Sequence, residues 1–141
     1  MSKLKAALDW AARGFRVFPL QANGKQPIIQ NFPELATSDP VQIYAWWQDP
    51  VTGLAPDYNI GCSTDGLIVP DVDVKDSRNG LEAFAKLGME FDTLTCQTPS
   101  GGYHLIYRGN AGQSPLERGI DIRSHHGYIV APGSTINGIP Y

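Results

Sequence analysis

The sequence predicts an α+β fold with a mostly antiparallel central sheet and flanking helices. The predicted elements run helix, strand, helix, then a hairpin, one more helix and several further short strands, which is the order of an α+β chain and not of a βαβ series. Fifteen glycines and eleven prolines indicate many turns and therefore short elements. A length of 141 residues predicts a single domain, residues 1–141, with its own hydrophobic core.

The first helix is predicted over Lys3–Arg13. Ser2 is a suitable N-cap and Gly14 a suitable C-terminal cap. Apolar residues spaced four and then three apart predict a buried stripe formed by Leu4, Leu8 and Ala11. The β-branched and aromatic segment Phe15–Leu20 follows as a strand.

A second helix begins at Pro40 and extends to Trp47. The segment Thr37-Ser38-Asp39-Pro40 supplies a capping side chain followed by proline at the first helical position. Ile43 and Trp47 lie four residues apart and are predicted to be buried. Aromatic side chains at helical spacing, here Tyr44 and Trp46, indicate either core packing or a platform on which bases stack.

The rest of the chain is predicted to be mainly strands. Asn59–Cys62 and Leu67–Val74 are predicted to form a hairpin around the turn Thr64-Asp65-Gly66, and a helix follows over Gly80–Leu87. The remaining expected elements are Thr93–Thr98, Tyr103–Tyr107, Ile120–Arg123, Tyr128–Ala131 and a hairpin turn at Asn137-Gly138.

Two carboxylates stand out within the apolar strand Leu67–Val74. Alternation along a strand places Asp71 and Asp73 on one face. Two anions on an otherwise buried element need a compensating cation, and carboxylate oxygens suit Mg²⁺ or Mn²⁺. The alternative is a strand end with solvated acids. Pro70 lacks an N–H and predicts either an interrupted ladder or an edge just before Asp71.

A glycine-rich turn precedes a strand that contains a histidine. Ser100, Gly101 and Gly102 allow backbone N–H groups to approach an anion closely, and His104 lies on the strand that follows. His104 is therefore a candidate ligand for phosphate.

Asp121 is the third candidate acid. It alternates with isoleucines, which places it on one face of its strand together with Arg123. Arg123 is either the ion-pair partner of Asp121 or a phosphate ligand. Ser134, in a Pro-Gly-Ser turn, is a candidate for a pocket wall, and Lys25 is either an exposed lysine or a further phosphate ligand.

Charge and composition exclude several classes of protein. The net charge of −3 and the lack of a Lys/Arg cluster argue against tight, sequence-independent binding of duplex DNA. No apolar run approaches the length of a membrane helix, and the N-terminus lacks the pattern of a signal peptide, so we expect a cytoplasmic protein. Cys62 and Cys96 are expected to be reduced, buried thiols, and no zinc-binding Cys/His set is visible.

In their order along the chain, these segments resemble the N-terminal catalytic domain of bifunctional DNA primase/polymerases, the prim-pol group of the archaeo-eukaryotic primase superfamily found on plasmids and phages. The resemblance covers nearly the whole chain. It is carried by the segments AARGFRVFPL, NGKQPI, ATSDP with the following WW, NIGCSTDGL, VPDVDV, TPSGGYHLIYR, GIDIRS and GYIVAPGS.

The resemblance implies an RRM-like catalytic core and template-directed nucleotidyl transfer from NTP or dNTP to a 3′-hydroxyl with two Mg²⁺ or Mn²⁺ ions. Asp71 and Asp73 match the D-x-D/E metal motif, Asp121 the third acid, and His104 the histidine that holds the phosphates of the incoming nucleotide. Lys25, Ser100, Gly101, Gly102, Arg123 and Ser134 are the further residues expected around the nucleotide.

The expected partners are single-stranded or primed DNA and a fused or associated helicase, inside a prokaryotic host cell. Because such domains generally continue past the Pro-Gly-Ser turn, we expect either a minimal domain or one truncated at the C-terminus. Two alternatives remain open: a catalytically weak nucleotide- or nucleic-acid-binding module of a replication helicase, and a metal-dependent phosphohydrolase that uses the same acids.

Overall fold

The computed structural model describes residues 2–49, 51–73, 85, 92–109, 114–117 and 120–141. Within the chain, one compact unit comprises Met1–Ser63 and Ile129–Tyr141, and a second comprises Thr64–Tyr128. Both helices and antiparallel sheets are present, so the predicted α+β class is confirmed. None of the described helices combines the length and the hydropathy needed to cross a membrane.

The described elements are short. The helices are α1 (Lys3–Ala12), α2 (Phe32–Leu35) and α3 (Pro40–Trp47). The strands are β1 (Val17–Leu20), β2 (Asn59–Ser63), β3 (Leu67–Val72), β4 (Leu94–Gln97), β5 (Tyr103–Arg108), β6 (Ser114–Glu117), β7 (Ile120–Arg123), β8 (Tyr128–Val130), β9 (Thr135–Ile136) and β10 (Ile139–Pro140). Helix α2 and strand β6 were not predicted from the sequence, and the predicted helix Gly80–Leu87 lies outside the described residues apart from Ala85.

Helix α1 has the predicted cap but a different buried face. The Ser2 hydroxyl accepts a hydrogen bond from the Lys5 N–H, and Gly14 has a φ of +95°. The predicted stripe of Leu4, Leu8 and Ala11 is wrong in part, since both leucines are only partly buried. The buried residues of this helix are Ala6, Ala7, Trp10 and Ala11.

Small residues explain which face of α1 is buried. A Cβ added at Gly133 would overlap the Cβ of Ala6, so helix and turn meet closely there. The indole N–H of Trp10 donates to the Pro132 carbonyl, 2.9 Å away. Alanine allows a closer approach of backbone than leucine does, and this close approach decides the orientation of the helix.

Helix α3 begins and ends as predicted. The Asp39 carboxylate accepts from the Val41 N–H, and Pro40 occupies the first helical position. Ile43 and Trp47 are fully buried, as expected, and the Trp47 indole donates to the Tyr58 carbonyl. The first unit therefore has a core of its own, to which strands β1 and β2 contribute Val17, Phe18, Leu20 and Ile60.

The strands of the first unit form two small sheets. One has the order β1-β2-β8, in which β1 and β2 are antiparallel, and the other is the hairpin β9-β10. Asn137 and Gly138, both with positive φ, form the two-residue turn of this hairpin, which confirms the predicted signal. Asn59 is fully buried and its side-chain amide donates to the carbonyls of Gly24 and Thr135.

The second unit is built on a five-stranded sheet with the order β4-β5-β3-β7-β6. The strand pairs β4·β5, β5·β3, β3·β7 and β7·β6 are all antiparallel. One face of this sheet packs an apolar cluster of Val72, Leu105 and Ile120, against which Tyr103 and Tyr107 lie. The middle strand is β3, the strand that contains Asp71.

The predicted hairpin of β2 with β3 is wrong. The turn is present, because the Leu67 N–H donates to the Thr64 carbonyl. However, β2 pairs with β1 and β8, whereas β3 pairs with β5 and β7. Because both sides of β3 are occupied by other strands, the turn separates two sheets and does not join neighbours in one.

Pro70 lies in a central strand and not at an edge. It is opposite Ile122 of β7, while the pairing of β3 with β5 is made at Leu67 and Ile68 and again at Asp71 and Val72. Val69 and Pro70 take no part in the pairing of β3 with β5, and the register is the same before and after them. The interrupted ladder is therefore the correct alternative, and the proline does not displace Asp71.

Candidate active site

A row of side chains crosses the five-stranded sheet at the level of Asp71. In register order the row is Cys96 on β4, His104 on β5, Asp71 on β3 and Asp121 on β7. Residues directly opposite each other on antiparallel strands project from the same face. The strands therefore bring Asp71, Asp121 and His104, which are far apart in the sequence, into one group.

The members of this row are close enough to act together. Directly paired residues such as Asp71 and Asp121 have Cα atoms roughly 4.5–5.5 Å apart. On the other side of Asp71, its Oδ1 lies 3.4 Å from the Nε2 of His104. Like charges placed opposite each other destabilise a strand pair, so this arrangement needs a cation or a protonated imidazole beside it.

Burial is graded along the row. The side chain of His104 is 8% exposed and that of Asp71 is 30% exposed, while Asp121 is exposed. Asp73 follows the last residue of β3 and is partly buried. The carboxylates thus remain accessible from solvent, and they offer the oxygen ligands that Mg²⁺ and Mn²⁺ prefer.

The glycine-rich turn is fixed by its own backbone. The Gly101 N–H donates to the Thr98 carbonyl, and the Thr98 N–H donates to the Gly102 carbonyl. A Cβ added at Gly102 would overlap the carbonyl oxygen of Val72, so this glycine is required where β5 approaches the end of β3. The sequence predicted that the backbone of this turn can approach an anion closely. The structure gives Gly102 a second role, because it lets the turn pack against Val72, the residue that precedes Asp73.

Arg123 lies two residues beyond Asp121 on the same face of β7, opposite Val69. It is partly buried, and its positive charge acts on Tyr128. Burial raises the pKa of the Tyr128 phenol, and the charge of Arg123 opposes that rise. Arg123 therefore places a fixed positive charge on the sheet face that holds the acids.

Lys25 and Ser134 belong to the first unit. Lys25 is exposed on a turn closed by the hydrogen bond from the Gln21 N–H to the Gln26 carbonyl. Ser134 is fully buried, and its hydroxyl accepts from the Ile60 N–H at 2.8 Å. Ser134 stabilises the first unit in this way, and a part for either residue in nucleotide binding stays a prediction.

The second unit contains a further cluster of potential metal ligands that was not predicted from the sequence. One ligand atom from each of Asp65, His125 and His126 lies within 4.8 Å of the others. The adjacent histidines were the available signal. Asp65 meets the two histidines because the turn before β3 lies beside the turn after β7. The predicted hairpin of β2 with β3 did not indicate this arrangement. Cys62 and Cys96 are buried, as predicted.

Comparison with known families matches residues 7–141 of the chain. The matching family is described as the N-terminal domain of bifunctional DNA primase/polymerase. No curated protein matches the chain.

Proposed function

The chain belongs to the family of bifunctional DNA primase/polymerase N-terminal domains, and on this basis we propose that it is a template-directed primase/polymerase that transfers nucleotides to a 3′-hydroxyl with two bound metal ions. Membership supports a DNA primase/polymerase function in general. It also implies an enzyme of the nucleotidyltransferase type that binds nucleotide and DNA template. The two-metal mechanism and the residue roles are our proposal.

The observation that carries the proposal is the direct pairing of Asp71 with Asp121 on neighbouring strands. Asp73 follows the end of β3, and we propose that its carboxylate joins those of Asp71 and Asp121 in holding Mg²⁺ or Mn²⁺. When bound, such ions activate the attacking hydroxyl and stabilise the leaving pyrophosphate. The protein's own contribution is to hold the carboxylates on a sheet whose other face is a packed apolar core, so that their spacing is set before substrate binds.

His104 is proposed to contact the phosphates of the incoming nucleotide. Its position beside Asp71 places its imidazole next to the carboxylates, where the triphosphate would approach them. Because the same Nε2 faces Asp71, His104 has a second possible role as a positioning residue for that carboxylate. The two roles predict different results when His104 is replaced. A phosphate ligand would mainly affect the affinity for nucleotide, whereas a positioning residue would also affect the affinity for metal.

The other residues of the second unit proposed around the nucleotide are Ser100, Gly101 and Gly102 of the glycine-rich turn, together with Arg123. Ser100 is exposed at the tip of the turn, and Arg123 adds positive charge on the same sheet face as Asp71 and Asp121. Roles for Lys25 and Ser134 in nucleotide binding stay predictions from the sequence. We further propose a role in plasmid or phage replication in a prokaryotic cytoplasm, with a helicase as fused or associated partner.

Extension of a primed template with Mn²⁺ and dNTPs tests this function. We expect Asp71→Asn to lower the extension rate by more than about 100-fold, because residues that only support metal ligands already cost 10–100-fold when removed. Asp92→Asn is the matched control, since Asp92 is an exposed acid of the same unit. Wild-type rates are expected for this control.

Two outcomes would contradict the polymerase assignment. Nucleotide binding by the wild type without any product would favour a binding module. Release of phosphate or pyrophosphate without chain growth, lost in Asp71→Asn, would favour a phosphohydrolase that uses the same acids.

A further inference from the structure

Two turns of the second unit are joined side by side at one end of β3 and β7. The turn before β3 contains Asp65, and the turn after β7 contains His125 and His126. The Thr64 N–H donates to the Gly127 carbonyl, and the fully buried hydroxyls of Thr64 and Ser124 donate to the carbonyls of Ser124 and Leu67. These buried hydrogen bonds fix the two turns relative to each other.

The side chains above these bonds converge on one point. The Asp65 Oδ1 accepts from the His126 backbone N–H and lies 3.4 Å from the His125 Nδ1. The two imidazole rings are stacked, with centroids 3.7 Å apart. Within the described chain, one ligand atom from each of these three residues lies within 4.8 Å of the other two.

His126 occupies a backbone position that favours other residues. The Gly127 N–H donates to the Ser124 carbonyl, so His126 is the second central residue of a four-residue turn, and its φ is +57°. Turns with positive φ at this position favour glycine or asparagine. The side chain of His126 is thus present at a site where the backbone alone would select glycine.

We propose that Asp65, His125 and His126 form a second metal site, specific for Zn²⁺ and separate from the carboxylate row. Two imidazole nitrogens and one carboxylate oxygen are a common zinc donor set, with water as the fourth ligand. The side chain of His125 is 65% exposed, which leaves room for that water. The carboxylates of Asp71 and Asp121 offer oxygen ligands, which favour harder cations, so the two sites differ in metal preference.

Zinc at this position joins the turn that precedes β3 to the turn that follows β7. These two strands contain Asp71 and Asp121, so the ion stabilises the strand pair on which the carboxylate row depends. The role proposed for zinc is structural, since it binds the folded turns and not the unfolded chain. This proposal does not depend on the polymerase function.

Thermal unfolding with Zn²⁺ tests the site. Tag-free protein is used in millimolar Mg²⁺, which occupies the carboxylates, and Zn²⁺ is titrated by calorimetry before the melting scan. We expect calorimetry to show one Zn²⁺ bound per chain. When the free Zn²⁺ concentration is a hundred times the Kd for Zn²⁺, we expect Tm to rise by about 5–10 °C.

His126→Gly is the decisive variant, because glycine suits the positive φ while removing a ligand. Its Tm in EDTA is expected to equal or exceed that of the wild type, and the Zn²⁺ shift is expected to disappear. Asp65→Asn, which keeps an oxygen acceptor for the His126 N–H, is expected to weaken Zn²⁺ binding at least about tenfold.

His104→Gln serves as the locating control, since His104 is the remaining histidine of the chain. It is expected to keep the full Zn²⁺ shift. The proposal is overturned if wild-type Tm does not respond to Zn²⁺, if His126→Gly binds Zn²⁺ as tightly as wild type, or if His104→Gln abolishes binding.

Discussion

Asp71 has neighbours of opposite chemistry on its two sides. His104 lies on one adjacent strand and Asp121 on the other, and both are its direct register partners. An imidazole beside Asp71 compensates its charge when protonated, whereas a second carboxylate adds to the negative charge that a cation must neutralise. At the scale of single residues, the site is therefore one acid held between a base and another acid.

The contact between His104 and Asp71 leads to a test of what the histidine does. If His104 contacts phosphate, His104→Ala lowers nucleotide affinity about tenfold or more while Mn²⁺ affinity changes little, since a lost charge-assisted hydrogen bond costs about 1.5–3 kcal/mol. Calorimetric titrations of Mn²⁺ alone, and of nucleotide at saturating Mn²⁺, measure the two affinities separately.

Lys5→Ala is the control for this experiment, because it removes an exposed basic side chain that belongs to the first unit and to neither proposed metal site. Equal losses of Mn²⁺ and nucleotide affinity in His104→Ala would show that His104 acts through Asp71 as a positioning residue. Unchanged nucleotide affinity would remove His104 from the site.

At the scale of elements, the geometry depends on how closely β5 approaches β3. Gly102 lies against the Val72 carbonyl, and the turn before β5 is closed by its own backbone hydrogen bonds. Pro70 interrupts the ladder between the same two strands without shifting the register. The position of Asp73 therefore depends on a strand contact that only a residue without a side chain permits.

Gly102→Ala tests this strand contact. The added methyl group must displace the end of β3, and overpacking of this kind costs about 1–3 kcal/mol of unfolding free energy. We expect urea unfolding to show this loss of unfolding free energy. We also expect the rate of primer extension to fall by more than the smaller fraction of folded protein can explain.

Gly66→Ala is the comparison for Gly102→Ala. Gly66 has a φ of +78°, and no atom lies within 4 Å of an added Cβ, so this variant reports backbone strain alone. Similar stability losses with full extension activity in both variants would refute a role for Gly102 in the site.

At the scale of the whole molecule, an acidic chain has to bind a polyanion. The net charge is −3, and the paired acids Asp71 and Asp121 lie on the face proposed for nucleotide. Bound divalent cations invert the local charge and allow a triphosphate to approach. We therefore expect the affinity for nucleotide to depend strongly on bound metal, because basic side chains alone do not offset the negative charge of the protein.

Removal of metal tests this dependence. We expect EDTA to lower the affinity for a fluorescent dNTP by at least about tenfold in polarisation measurements, because the unneutralised carboxylates repel the triphosphate. In a variant with Asp71, Asp73 and Asp121 all changed to Asn, EDTA is expected to have little effect. An equal EDTA effect in that variant would place the metal dependence elsewhere in the protein.

The predictions that held depend on local signals. Ser2 and the Asp39-Pro40 pair mark helix starts, and Asn137-Gly138 marks a hairpin, because caps and turns involve only neighbouring residues. The buried face of α1 was mispredicted, since it depends on the close approach of Gly133 to Ala6, far away in the sequence.

Local patterns were enough to predict the α+β class, most strand positions and the face on which Asp71 and Asp121 each lie, because alternation along a strand is a local property. Long-range contacts set the position of β3 between β5 and β7, the place of Pro70 within a central strand, and the meeting of Asp65 with His125 and His126. Strand order is set by which edges remain available for pairing, and no local pattern in one chain encodes that choice.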